Sequence, residues 1–310
     1  MQANFRKLTD RGYERARSYI ETAARPLERA RFRYAFEAAS REPALRALEA
    51  FRNEDGGFGH CLEPDLWMPD SSVLCTAEAL HILHELDVPA DHAFVSPAVD
   101  WLVRSFDPDL GAWRQITAEA EAHPHAPWWN WDMHADGTRW PVGVLPRADV
   151  LSHLWRNAAR VPKDLLEDQT RRLVSDLTAS DTLDPDSVSH CEAFVRSAAA
   201  PREAREAVAH HMVRIGVAAV SRDPKDWLGY AAKPLKLAPL PDCVLAKPLA
   251  EEVERNLDWE IDHQEADGSW APNWDWRGAY PEAWAEAERW WRGDLTFKTL
   301  RSLRAFGRLP

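Results

Sequence analysis

The sequence predicts an all-α fold: residues 1–310 as a single domain of about six helical hairpins closed into an α/α toroid. Three observations predict it. Period-2 alternation is almost absent, whereas helical periodicity recurs along the chain. An Asp-Gly turn ending in an aromatic residue occurs twice, as Asn53-Glu54-Asp55-Gly56-Gly57-Phe58-Gly59 and as Gln264-Glu265-Ala266-Asp267-Gly268-Ser269-Trp270. Each turn follows an amphipathic helix and precedes a polar loop and another helix, and recurrence of such a unit marks a repeat array. Weaker copies stand between them, at Asp107-Pro108-Asp109-Leu110-Gly111-Ala112-Trp113 and at Asp223-Pro224-Lys225-Asp226-Trp227, with a faint turn at 181–186. A lone hairpin cannot bury both faces, so neighbours must stack.

The elements follow in order. Helices are expected at 10–24 and 27–40, split by Pro26, then at 43–53, 72–86 and 93–105. Further helices are expected at 146–159, 163–179, 187–199, 202–220, 245–264 and 293–306. Ser71-Ser72 before Val73 and Pro146 before the next helix are N-terminal signals. Trp291-Arg292-Gly293-Asp294-Leu295-Thr296 reads as the start of the last helix, with Asp294 or Thr296 near its cap. Residues 106–146 form a long Trp- and His-rich insertion, too aromatic to read as disorder.

Composition narrows the function. The formal net charge of -12 argues against a nucleic-acid partner. No apolar run is long enough for a membrane span, and residues 1–10 lack the apolar core of a secretory signal, so a cytoplasmic protein is expected. Cys61, Cys75, Cys191 and Cys243 form no Cys-x-x-Cys pair and read as reduced thiols. The 16 Trp residues cluster beside polar residues, at Trp128-Trp129-x-Trp131, Trp274-x-Trp276 and Trp290-Trp291. That clustering points to a lined cavity more than to bulk core.

Two motifs carry a family resemblance. Gln264…Asp267-Gly268-x-Trp270 resembles the Gln-Trp repeat of squalene–hopene and oxidosqualene cyclases, and Asp55-Gly56-Gly57-Phe58-Gly59 resembles the corresponding turn in the β subunits of protein prenyltransferases. The resemblance implies an α/α toroid whose mouth and interior bind isoprenoids. The chain departs from those families in chemistry. It has no Asp-x-Asp-Asp acid motif, no Asp-Asp-x-x-Asp metal motif and no Asp-x-Cys zinc pair. No cofactor is therefore expected, with a divalent metal as a minor alternative.

Three segments are candidates for a site. In His60-Cys61-Leu62-Glu63-Pro64-Asp65, the residues Glu63, Asp65 and His60 are expected as catalytic groups, because two carboxylates beside an apolar cavity can divide acid and base roles. Loop capping is the structural alternative for both carboxylates. The second segment runs from His123 to His134. His125, Trp128, Trp129 and Asp132 are expected to bind substrate there, with Asp136 near the edge, and the three histidines with Asp132 are the alternative metal set. The third is Pro272-Asn273-Trp274-Asp275-Trp276, with Tyr280 and Trp284. Trp274, Asp275 and Trp276 are expected to line the same pocket, as are Trp67 and Tyr230. If the ring closes, the 55–70 and 264–284 loops are neighbours.

The expected function is a non-standard terpene cyclase or isoprenoid-processing enzyme for a small apolar ligand. A carbohydrate-active enzyme on an (α/α)6 barrel and a non-catalytic binding scaffold are the alternatives.

Overall fold

The computed structural model describes residues 5–133, 144–182 and 184–310. These residues are mostly helical. Local chemistry explains several helix starts. Thr9 caps α1 (Asp10–Ala23) by accepting the Gly12 N–H at 3.0 Å. Pro26 opens α2 (Pro26–Phe36), where its missing N–H costs nothing. A short α3 (Glu42–Leu48) tightens into a 3-10 turn at Glu49–Phe51. Ser72 caps α4 (Val73–Glu85) through the Cys75 N–H, and Asp184 caps α8 (Pro185–Arg196) through the Ser187 N–H. Between them lie α5 (Val95–Arg104), α6 (Val144–Arg156) and α7 (Lys163–Ala179). Then come α9 (Arg202–Ala219), the single turn α10 (Pro234–Leu237), α11 (Ala250–Asp262) and α12 (Pro281–Ala305). The only strands among the described residues are β1 (Phe106–Asp107) and β2 (Ala112–Trp113), an antiparallel pair around the Asp107–Gly111 turn.

The chain divides into two compact units, 1–47 with 216–275 and 282–310, and 48–215 with 276–281. In the first unit the Leu8 N–H donates to the Arg308 carbonyl at 2.8 Å. Gln264 joins the last Asp-Gly turn to α1: its Nε2 donates to the Gly12 carbonyl at 2.8 Å, and its Oε1 accepts from Arg15 at 2.8 Å. In the second unit α4 packs on α6 and α6 on α8, with α5 against α4 and α6, and α7 against α6. The alternate helices α4, α6 and α8 thus pack in succession, and the intervening α5 and α7 each pack on α6.

The two Asp-Gly turns are built alike. The Asn53 N–H donates to the Gly57 carbonyl and the Gly56 N–H to the Asn53 carbonyl. Glu265, Ser269 and Gly268 repeat both bonds. Asp55 Oδ1 accepts the Gly57 N–H at 2.9 Å, and Asp267 Oδ1 accepts the Ser269 N–H at 2.9 Å. Gly56 and Gly268 hold φ of 92° and 95°, a region open to glycine at little cost. The N–H of the aromatic residue then donates to a threonine hydroxyl on a helix, Phe58 to Thr76 of α4 and Trp270 to Thr296 of α12. The 107–113 copy shares the positive-φ glycine, Gly111, and an indole anchored to a backbone carbonyl.

Several boundaries move. The helix expected at 27–40 stops at Phe36, that at 43–53 breaks into α3 and its 3-10 turn, and that at 245–264 begins at Ala250. The last helix begins at Pro281 instead of 293. Gly293 lies in its middle because a Cβ there would meet the Ala24 Cβ at 2.8 Å. Close helix approach, not a helix start, accounts for that glycine. Asp294 and Thr296 do not cap: Asp294 pairs with Arg31 at 3.2 Å and Lys298 at 2.7 Å, and the Thr296 hydroxyl donates to the Arg292 carbonyl. The tryptophans serve the core more than expected: Trp113, Trp129, Trp227, Trp270 and Trp276 are all buried.

Candidate functional site

Two side-chain clusters in the second unit have the makings of a site. The first is a meeting of loops. His60 and Cys61 take left-handed conformations, with φ of 53° and 63°, and fold the 60–67 segment back on itself. Asp65 is 3 % exposed, and its Oδ1 accepts the Trp276 indole N–H at 2.7 Å. Its carbonyl accepts the Ala126 N–H at 2.9 Å, which ties in the 124–130 loop. Trp67 stands edge-on to Trp276 at 6.4 Å, and Tyr280 does so at 6.5 Å. The His125 ring lies 5.7 Å from that of Tyr280. A buried carboxylate therefore sits among rings drawn from three loops that are far apart in sequence.

The other expected residues take plainer roles. Glu63 Oε2 accepts the Asp65 backbone N–H at 2.7 Å, which is loop capping. His60 is exposed and meets Asn53 Oδ1 at 2.8 Å. Both His125 ring nitrogens are engaged, Nδ1 with the His123 carbonyl and Nε2 with Asn130 Oδ1. Trp128 is half-buried, Trp129 is buried and Asp132 is exposed. His134 and Asp136 lie outside the described residues. Trp276 is fully buried, so it anchors Asp65 and does not line open space. Trp274, Asp275 and Tyr230 belong to the first unit. There Trp274 stands edge-on to Trp291 at 5.1 Å and to Tyr230 at 6.3 Å. Tyr230 is exposed, with its hydroxyl accepting from Lys236, and Asp275 is exposed.

The second cluster was not anticipated from sequence. His81 of α4, Asp149 and His153 of α6, and His190 of α8 converge where these three helices pack. His81 Nε2 lies 2.5 Å from Asp149 Oδ1, and His190 Nδ1 lies 3.3 Å from Asp149 Oδ2. His153 is one helical turn beyond Asp149, with its Nε2 3.9 Å from Asp149 Oδ1 and its ring edge-on to His81 at 4.4 Å. Burial penalises charge at His190, but the Asp149 carboxylate more than offsets it and pushes the imidazole up to about 9. His81 is raised for the same reasons. Burial also opposes ionisation of Asp149, yet the two imidazoles hold it well below the usual carboxylate range. His153 is pushed down to about 3 by burial and by the His81 charge, so it stays neutral. The one local hint in the sequence was the Asp149-x-x-x-His153 pair, four residues apart and so on one face of a single helix.

Elsewhere the chemistry is quieter. The four cysteines are free, and burial pushes the Cys75 thiol up to about 12, a protonated and inert state. Among the described residues no helix is long and apolar enough to cross a membrane. No known protein family matches the chain, and no curated protein matches it.

Proposed function

We propose that the chain is an isoprenoid-processing enzyme on a closed α/α toroid, with its ligand site where the 60–67, 124–130 and 276–280 loops meet. The supporting observation is the bond from the Trp276 indole to Asp65. It fixes a buried carboxylate on an indole that the rings of Trp67 and Tyr280 meet edge-on. Asp65 serves as the proton-transferring carboxyl group. Trp276 orients it, and the half-buried Trp67 and exposed Tyr280 offer π faces to an apolar chain and to positive charge developing on it. Closure of the helical array is part of the same proposal, and it is supported by the contact of the 264–270 turn with α1. Glycoside cleavage fits less well. It needs two carboxyl groups facing one another across roughly 5 to 9 Å, and Glu63 is turned onto the Asp65 amide.

The test is turnover of prenyl diphosphates and of oligosaccharides by the purified protein and its Asp65→Asn variant. Loss of a general acid or base costs about 10²- to 10⁴-fold, so the variant is expected to lose at least about a hundredfold on prenyl diphosphates. Undiminished turnover by Asp65→Asn, or turnover of oligosaccharides alone, would refute the proposal.

A further inference from the structure

We propose that His81, Asp149 and His190 form a binding site for a divalent transition metal of the zinc class. Their ligating atoms all lie within 4.8 Å of one another. Zinc binds imidazole nitrogen and carboxylate oxygen at about 2.0 to 2.2 Å, which spaces ligand atoms about 3.3 Å apart in a tetrahedron. The 3.3 Å between His190 Nδ1 and Asp149 Oδ2 matches that spacing, whereas the 2.5 Å between His81 Nε2 and Asp149 Oδ1 is a direct hydrogen bond that must open before an ion can enter between them.

The donor set selects the class of metal. Two imidazoles and one carboxylate suit zinc, iron or cobalt, whereas magnesium and calcium favour oxygen ligands throughout. The supports are rigid, since each ligand stands on a different helix of a packed trio. The surrounding charge is favourable too. Glu78, nearly one turn before His81 on α4, and Asp186, one turn before His190 on α8, both add negative potential at the imidazoles.

His153 gives an independent pointer. Its side chain is 4 % exposed, and its Nε2 has no hydrogen-bond partner among the described residues although it faces Asp149. An unsatisfied buried imidazole of this kind calls for a bound group. Three protein ligands leave a fourth tetrahedral position for water, as catalytic zinc sites do. A metal-bound water can donate to His153 Nε2 and satisfy it. Nothing in this geometry depends on the ligand being an isoprenoid.

The experiment uses the full chain, stripped with a chelator, dialysed and titrated with Co²⁺ and Zn²⁺. The readouts are metal content, the visible absorption of bound Co²⁺ and the thermal midpoint. About one ion per chain is expected, with a tetrahedral Co²⁺ spectrum and a raised midpoint. His81→Gln and His190→Gln should each weaken binding by roughly a hundredfold, while His210→Gln, at an exposed position on α9, should leave it unchanged. His153→Gln should keep the stoichiometry but shift the Co²⁺ spectrum. Circular dichroism of each variant separates loss of the site from loss of the fold. Absence of stoichiometric binding, or equal affinity in folded His81→Gln and His190→Gln, would overturn the assignment. Metal binding without prenyl turnover would leave the site standing and remove the enzymatic reading. Turnover by metal-free protein, with no binding, would do the reverse.

Discussion

Gly268→Ala is expected to destabilise the protein by ~3–5 kcal/mol, combining backbone strain with overpacking against main chain. Gly268 has φ of 95°, where a side chain is strained whatever the space around it. A Cβ there would stand 2.7 Å from the Ala16 nitrogen and closer still to the Arg15 carbonyl group. Those are backbone atoms of α1, so relief requires the helix itself to shift. Gly278 supplies the control. Its φ is 83°, but nothing lies within 4 Å of a Cβ added there. Gly278→Ala should therefore cost only the strain, about 1 kcal/mol. Urea midpoints of the two variants measure the difference. Equal losses would show that contact between the turn and α1 contributes nothing.

Asp294→Ala is expected to cost a similar ~3–5 kcal/mol, the usual result of removing one partner from a buried ion pair. The Arg31 side chain is 4 % exposed and pairs with Asp294 at 3.2 Å. A guanidinium cannot escape the loss by giving up its proton. The pH dependence follows from the direction of the Asp294 shift. Burial raises its pKa, but Lys298, Arg31 and Arg25 more than offset this and hold it below the ordinary value of 3.8. A depressed carboxylate contributes stability that is present above its unfolded pKa and is lost as pH falls through its folded pKa. The gap between wild type and Asp294→Ala should be full above about pH 4 and should close in more acidic solution. Denaturant midpoints across that range check it, and a gap that does not change with pH would contradict the assignment.

The same residues show which parts of the molecule a reader of the sequence can reach. The Asp-Gly turns were legible because their causes are local. Asp55 and Asp267 each bond a backbone N–H two residues on, and the glycine between supplies the positive φ. Repetition of that unit also brought the 60–67 segment and Trp276 under suspicion together, and the bond from Trp276 to Asp65 joins them. The division of labour was not legible. Only the folded chain separates Glu63, which caps a loop amide, from Asp65, which meets the indole. Gly293 was misread because its cause, Ala24, lies on a distant segment. The histidine cluster stayed hidden for the same reason: its ligands come from α4, α6 and α8, and only the packing of those helices assembles them.

The most direct test of the isoprenoid reading is equilibrium binding of a prenyl diphosphate, followed by tryptophan fluorescence in wild type, Trp67→Ala and Tyr280→Ala. Saturable binding is expected in wild type, and each truncation should weaken it about tenfold, as loss of an aromatic contact at a binding centre does. No saturation in wild type, or equal affinity in all three proteins, would contradict a ligand site at the meeting of these loops.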